Sequence, residues 1–97
     1  MSELKLIFSK HASEKIRERK IKVKMIEKVL KNPEILFYDL VNKTMIAVAK
    51  VKVNNTSTNL VVVFTKEGEK IKIVTTYACK NIRKEIKRKD GIRWVRV

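Results

Sequence analysis

Between the dipeptide Asn32-Pro33 and Cys79 the chain offers four apolar runs separated only by turn-forming residues, and this succession constrains its fold most. Ile35–Leu40 is apolar and is followed by a turn signal at Val41-Asn42-Lys43. Thr44–Val53 alternates in its later half, with Ala49, Val51 and Val53 on one face and Lys50 and Lys52 on the other, as a half-buried strand does. Asn54-Asn55-Thr56-Ser57 is a polar turn, and Leu60–Thr65 is unbroken apolar sequence, as expected of a central strand covered on both faces. Lys66-Glu67-Gly68-Glu69 closes a hairpin, Gly68 being able to take positive φ. Lys70–Tyr77 returns as the partner strand. The expectation is an antiparallel meander.

Helical patterns flank it. Leu4–Phe8 reads as a short strand, after which Ser9 can cap a helix over Lys10–Lys20 whose apolar stripe is Ala12 and Ile16. Val23–Leu30 supplies a second helix with Met25, Ile26, Val29 and Leu30 inward. Pro33 stops it by pushing its predecessor out of helical geometry. Lys80–Lys89 reads as a very basic helix with Ile82 and Ile86 as its apolar stripe, ended by Asp90-Gly91. Ile92–Val97 alternates like a final strand. The element order β-α-α-β-β-β-β-α-β predicts the α+β class: two N-terminal helices packed on an antiparallel meander sheet, with a basic C-terminal helix. The 97 residues leave room for a single domain, 1–97.

Charge narrows the partners. Lys and Arg number 24 against 10 Asp and Glu, a formal charge of +14. Residues 1–31 carry +6, residues 32–79 only +2, and residues 80–97 another +6. Two basic clusters at opposite chain ends, if folding brings them together, make a positive surface able to hold a polyanion, so nucleic acid or an acidic protein is the expected partner class. No apolar run approaches the length of a bilayer span, so a membrane is not expected among the partners. One cysteine, Cys79, cannot form an internal disulfide, and with one histidine the chain has no metal cluster of ordinary spacing. A free thiol without an export signal points to the cytoplasm. No Gly-rich phosphate loop, nucleophile elbow or dinucleotide fingerprint is present, and no cofactor is expected.

The string from His11 to Ile21 carries the chemistry. On a helix His11, Lys15 and Arg19 fall at i, i+4 and i+8 and drift along one flank. Neighbouring cations disfavour an imidazolium, so His11 is expected neutral, the form a general base needs. The same cations would stabilise a phosphate and, more strongly, a pentacoordinate transition state. A base with cations is the minimum for RNA cleavage without metal, the ribose 2′-hydroxyl attacking its own phosphate. Against this, a lone histidine near a helix start is often a capping or packing residue, and Glu14 and Glu18 could form ordinary surface ion pairs.

Phe8-Ser9-Lys10-His11-Ala12, Lys15-Ile16, Arg19-Lys20-Ile21 and Val29-Leu30-Lys31-Asn32-Pro33-Glu34 together resemble an uncharacterised prokaryotic domain family that begins His-Ala-x-x-Arg-Met-x-x-Arg-Gly-Ile. That family is similar to RelE- and ParE-type toxins and, more distantly, to the barnase/colicin/RelE ribonucleases. Val74-Thr75-Thr76-Tyr77 resembles its closing strand. Lys15 departs from the pattern's Arg, losing the bidentate fork, and Lys20 replaces its Gly. The resemblance implies an active site in which polar side chains at the end of Lys70–Tyr77 face the first helix. Tyr77 with Thr75 or Thr76 would bind phosphate or orient His11. Alternation puts Ile71, Ile73, Thr75 and Tyr77 on one face of that strand and Lys72, Val74 and Thr76 on the other. Lys80, Arg83, Lys84, Lys87, Arg88 and Lys89 nearly ring their helix, a density that favours phosphate tracking.

Three readings follow. The first is a RelE-like, metal-independent endoribonuclease acting on RNA, ribosome-bound mRNA included, as the toxin of a toxin–antitoxin pair with an acidic antitoxin partner. The second is a non-catalytic nucleic-acid-binding module on the same scaffold. The third, implied by the ParE branch, is a protein-inhibiting toxin.

Overall fold

A computed structural model describes residues 5–53, 55–89 and 93–97. Leu4, the turn residue Asn54, and the expected helix stop Asp90-Gly91 with Ile92 lie outside the described residues. The elements are β1 (Lys5–Phe8), α1 (Lys10–Arg19), α2 (Val23–Lys31), β2 (Ile35–Asp39), β3 (Thr44–Val53), β4 (Thr56–Glu67), β5 (Lys70–Cys79), α3 (Ile82–Lys89) and β6 (Trp94–Arg96). This is the α+β order that the hydrophobic pattern predicts. None of the described helices is long and apolar enough to cross a membrane.

The six strands form one sheet in the order β1-β5-β4-β3-β2-β6. The meander β2 to β5 is antiparallel throughout, and β6 adds antiparallel to β2. The sheet as a whole is mixed, because β1 pairs parallel with β5, Lys5 opposite Lys70 to Phe8 opposite Ile73. A purely antiparallel sheet is therefore corrected at one edge. The meander leaves the outer edge of β5 open, and β1 occupies it while Leu6 and Phe8 join the core beneath α1 and α2.

Helices cover both faces. On one face Ala12 and Ile16 of α1 and Ile26 and Val29 of α2 pack on Ala47, Leu60, Val62 and Ile73. Ala12, Ile26 and Val29 have no exposed surface. Emptying the Ile26 site with alanine would cost about 2–5 kcal/mol. On the other face Ile82 and Ile86 of α3 pack with Phe37, Ile46, Val48, Val61 and Trp94. The two basic segments thus lie on opposite faces of the sheet, and the single shared surface that their charge suggests does not form across either face.

A β-bulge re-aims the end of β5. Phe64 pairs with Ile73 but Val63 pairs with Thr75, so Val74 is an extra residue in the ladder. Strict alternation fails from that point. Ile71 and Ile73 face α1 and α2, whereas Thr75 and Tyr77, paired with Val63 and Val61, face α3. Thr76, opposite Val62, takes the α1 side.

The expected caps and turns form. Ser9 is extended, its Oγ accepts the Ala12 N–H at 3.0 Å, and the same hydroxyl donates to the Val74 carbonyl at 2.8 Å. The cap therefore also fastens α1 to the bulge. Lys20, which stands at the Gly of the pattern that this string resembles, holds the left-handed conformation at φ 54°, and its N–H reaches the Ile16 carbonyl. The turn that glycine would make is retained with a lysine in it. Gly68 takes φ 65° in the β4–β5 hairpin.

Candidate nucleic-acid interface

The flank of α1 comes first. His11 and Arg19 are exposed and Lys15 is half-buried. Lys15 Nζ sits 3.5 Å from the Glu18 carboxylate, an ordinary i, i+3 surface pair with a half-buried lysine and an exposed glutamate. Arg19 donates from Nη1 to the Thr76 carbonyl at 3.2 Å, fixing the end of α1 to the last turnings of β5. His11, Lys15 and Arg19 therefore keep the common flank that helical spacing requires.

Their expected partners do not join them. Tyr77 and Thr75 lie on the opposite face of the sheet, with the bulge at Val74 as the cause. Thr76 does face α1, but it has no exposed surface and its hydroxyl donates to the Val61 carbonyl at 2.9 Å. A hydroxyl so committed is not a phosphate ligand. The constellation of His11, Lys15, Arg19 and Tyr77 is thus divided by the sheet.

The α3 face carries the denser charge. The helix starts at Ile82, two residues after the stretch expected to open it, with Asn81 Oδ1 accepting the Lys84 N–H at 3.2 Å. Lys80 precedes the helix and is exposed. Ile82 and Ile86 turn inward, leaving Arg83, Lys84, Lys87 and Arg88 exposed. Arg83 and Lys87 form one row and Lys84 and Arg88 another, members of each about 6 Å apart along the axis. Among the described residues no ion pair engages these four or Lys80. At the N-terminal end of α3 the row continues into Lys50 and Lys80, which line two adjoining hollows with Asn59. Lys50 was legible only as the outward residue of an alternating strand. Its closeness to Lys80 depends on the β3–β4–β5 register.

Beyond the other end of the face lies a cleft of about 420 Å³. Its floor is Ile46, Val63 and Val74, and its walls include Trp94, Tyr77 and the Asp39–Arg93 pair. Asp39, 3% exposed, accepts the Val41 and Asn42 N–H groups at 2.9 and 3.0 Å and the Arg93 Nε–H at 3.1 Å. Burial opposes its charge, but the Asn42 and Val41 N–H groups and Arg93 prevail and hold its carboxyl below the usual aspartate value. Burial first, and the Glu85 carboxylate next, push Tyr77 up to about 12, so it remains a phenol that can donate. Trp94 stacks at a tilt of 32° on Phe37, ring centroids 5.3 Å apart. Asp39, Thr44 and Arg93 were not singled out in the sequence. The one available signal was an aspartate at a strand end two residues before Val41-Asn42, where its carboxylate can cap the turn.

The fold and these surfaces define a class: a small, strongly basic α+β domain with a mixed six-stranded sheet, helices on both faces and a cationic helix beside an open cleft. Residues 8–78 match a domain family of unknown function, DUF4258, and the chain belongs to that family. No curated protein and no solved structure matches it. The matched segment holds α1, Asp39, Thr44 and Tyr77, while α3 and Arg93 lie beyond it.

Proposed function

We propose that this domain binds the sugar–phosphate backbone of nucleic acid across its α3 face, with single-stranded RNA as the preferred partner. The observation that carries the reading is the basic track: Arg83, Lys84, Lys87 and Arg88 exposed on a helix anchored by two isoleucines, extended by Lys50 and Lys80. Cations held on a rigid element neutralise phosphates and release counterions, irrespective of sequence. RNA is favoured over duplex DNA because a helix lying along the sheet offers a track rather than a protruding reader for a major groove. Replacing Arg83, Lys84, Lys87 and Arg88 together with alanine should weaken binding to all sequences alike while leaving the circular dichroism spectrum unchanged. Unaltered affinity would return α3 to an ordinary solvated face.

A second reading, metal-independent RNA cleavage in the manner of a RelE-type toxin, is favoured by the common flank of His11, Lys15 and Arg19, with Arg19 held by Thr76. In that reading His11 takes the 2′-hydroxyl proton as that oxygen bonds to the adjacent phosphorus, and the P–O5′ bond breaks to leave a 2′,3′-cyclic phosphate. The departing 5′-oxygen takes a proton from water, and Lys15 and Arg19 steady the phosphate without help from Tyr77. His11→Ala should then cut cleavage by about 10²–10⁴-fold and spare RNA affinity. Cleavage by the variant at the wild-type rate, or none by either protein with or without ribosomes, removes the enzyme reading and leaves the binding one. Growth arrest on expression, relieved by a small acidic protein encoded alongside, would support the toxin setting.

A further inference from the structure

The cleft between β2, β5 and β6 differs in kind from the α3 track. Its charges cancel: the Asp39 carboxylate is satisfied by the turn N–H groups and by Arg93, whose guanidinium it neutralises in turn. An anion gains little there. What remains is an apolar floor with neutral hydrogen-bonding groups at its rim. Thr44 is the telling residue. It is 6% exposed, it lines the cleft, and its hydroxyl has no hydrogen-bond partner among the described residues. A buried hydroxyl left unpaired is destabilising, and a ligand edge offering both donors and acceptors would satisfy it. Thr75 and the Tyr77 phenol add two more neutral hydrogen-bonding groups to the lining.

We infer that the Thr44–Tyr77–Trp94 cleft binds a single unstacked nucleobase. A base is planar, mostly neutral at pH 7, and carries donors and acceptors on its edges with apolar faces. These are the properties the cleft matches, and single-stranded RNA is read through bases splayed out in this way. Position supports the assignment. Tyr77, a lining residue of the cleft, packs in the same apolar cluster as Ile82 and Ile86, so the cleft lies on the same face of the sheet as the helix proposed to track phosphates. A strand on α3 could place one base into the cleft without leaving the track. This inference rests on the backbone-binding reading, and its test separates the two.

Trp94 is the sole tryptophan and lines the cleft, so its fluorescence follows occupancy there, with the polyanion titration as the control for binding on the neighbouring α3. The whole chain is titrated with four uncharged ribonucleosides, with inorganic phosphate and with polyphosphate, a polyanion without bases. At least one nucleoside should change Trp94 emission saturably, and neither phosphate probe should. Thr44→Val should weaken the nucleoside response about three- to tenfold while leaving polyphosphate affinity unchanged. Thr44→Ser, which keeps the hydroxyl, should restore the response. Tyr77→Phe serves as the second probe should the valine variant not fold. Polyphosphate and RNA binding without any nucleoside response would overturn the base site and spare the backbone reading. Nucleoside binding with no affinity for polyphosphate or RNA would do the reverse. A Trp94 response to inorganic phosphate alone would make the cleft an anion site and overturn the proposal.

Discussion

Asp39→Asn is the sharpest test of how the cleft is held. Asparagine preserves shape and can still accept the Val41 and Asn42 N–H groups, now at 2.9 and 3.0 Å, through one oxygen. Toward Arg93 it must turn a neutral amide in place of a carboxylate that sits 3.1 Å from Nε. A hydrogen bond to a charged group is worth about 1.5–3 kcal/mol. The Arg93 side chain is 37% exposed, so solvent screening argues for the lower part of that range, about 2 kcal/mol. For a domain of this size that lowers Tm by about 8–16 °C. The pH signature is more specific. The folded-state pKa of Asp39 lies below the ordinary 3.8, so the folded protein binds this proton less tightly than the unfolded chain. The stability it contributes is complete above the unfolded value and is lost as pH falls through the folded one. Urea midpoints of the two proteins, measured from pH 7 down to pH 2, should differ by a constant amount above about pH 5 and converge below the unfolded value. Equal midpoints at pH 7, or a gap that stays constant to pH 2, would refute the Asp39–Arg93 account.

Lys20→Gly should stabilise the fold by about 0.5–1 kcal/mol, since φ 54° penalises a lysine and glycine's own chain entropy offsets part of the gain; a lower Tm would contradict the left-handed turn. Tyr77, raised from 10.0 to about 12 in the folded state, should make stability fall as pH rises from 10 toward 12, and Tyr77→Phe should remove that part of the alkaline decline in a denaturation series. Thr76→Val should cost about 1 kcal/mol through the lost bond to the Val61 carbonyl and leave RNA affinity unchanged in an anisotropy titration, whereas a fall in affinity at constant stability would restore Thr76 as a ligand.

Most of the architecture was legible because periodicity and punctuation agreed. Ser9 looked like a cap and is one, Pro33 ends α2, and Gly68 takes the positive φ its hairpin needs. Three things were not legible, each for a physical reason. The parallel pairing of β1 with β5 is a choice of edge, and Lys5–Phe8 carries no mark of which edge it will join. The bulge at Val74 leaves no trace in a β-rich string such as Val74-Thr75-Thr76-Tyr77, yet it inverts which of these residues face α1. That inversion divides the expected catalytic set, sending Tyr77 and Thr75 to the cleft. The cleft itself joins Asp39, Thr44 and Arg93, brought together by strand register and by β6, so local sequence shows only that Asp39 can cap a turn.

The claim that the α3 face holds a nucleic-acid backbone is tested most directly by the salt dependence of binding to a single-stranded RNA. Each neutralised phosphate contributes about −0.7 to the slope of log K against log salt. Arg83, Lys84, Lys87, Arg88, Lys50 and Lys80 acting together give a slope of about −4. The account predicts a slope near that value for the wild-type protein, reduced to about −1.5 when the four helix residues are alanine. A slope near zero, or the same steep slope in both proteins, would contradict it.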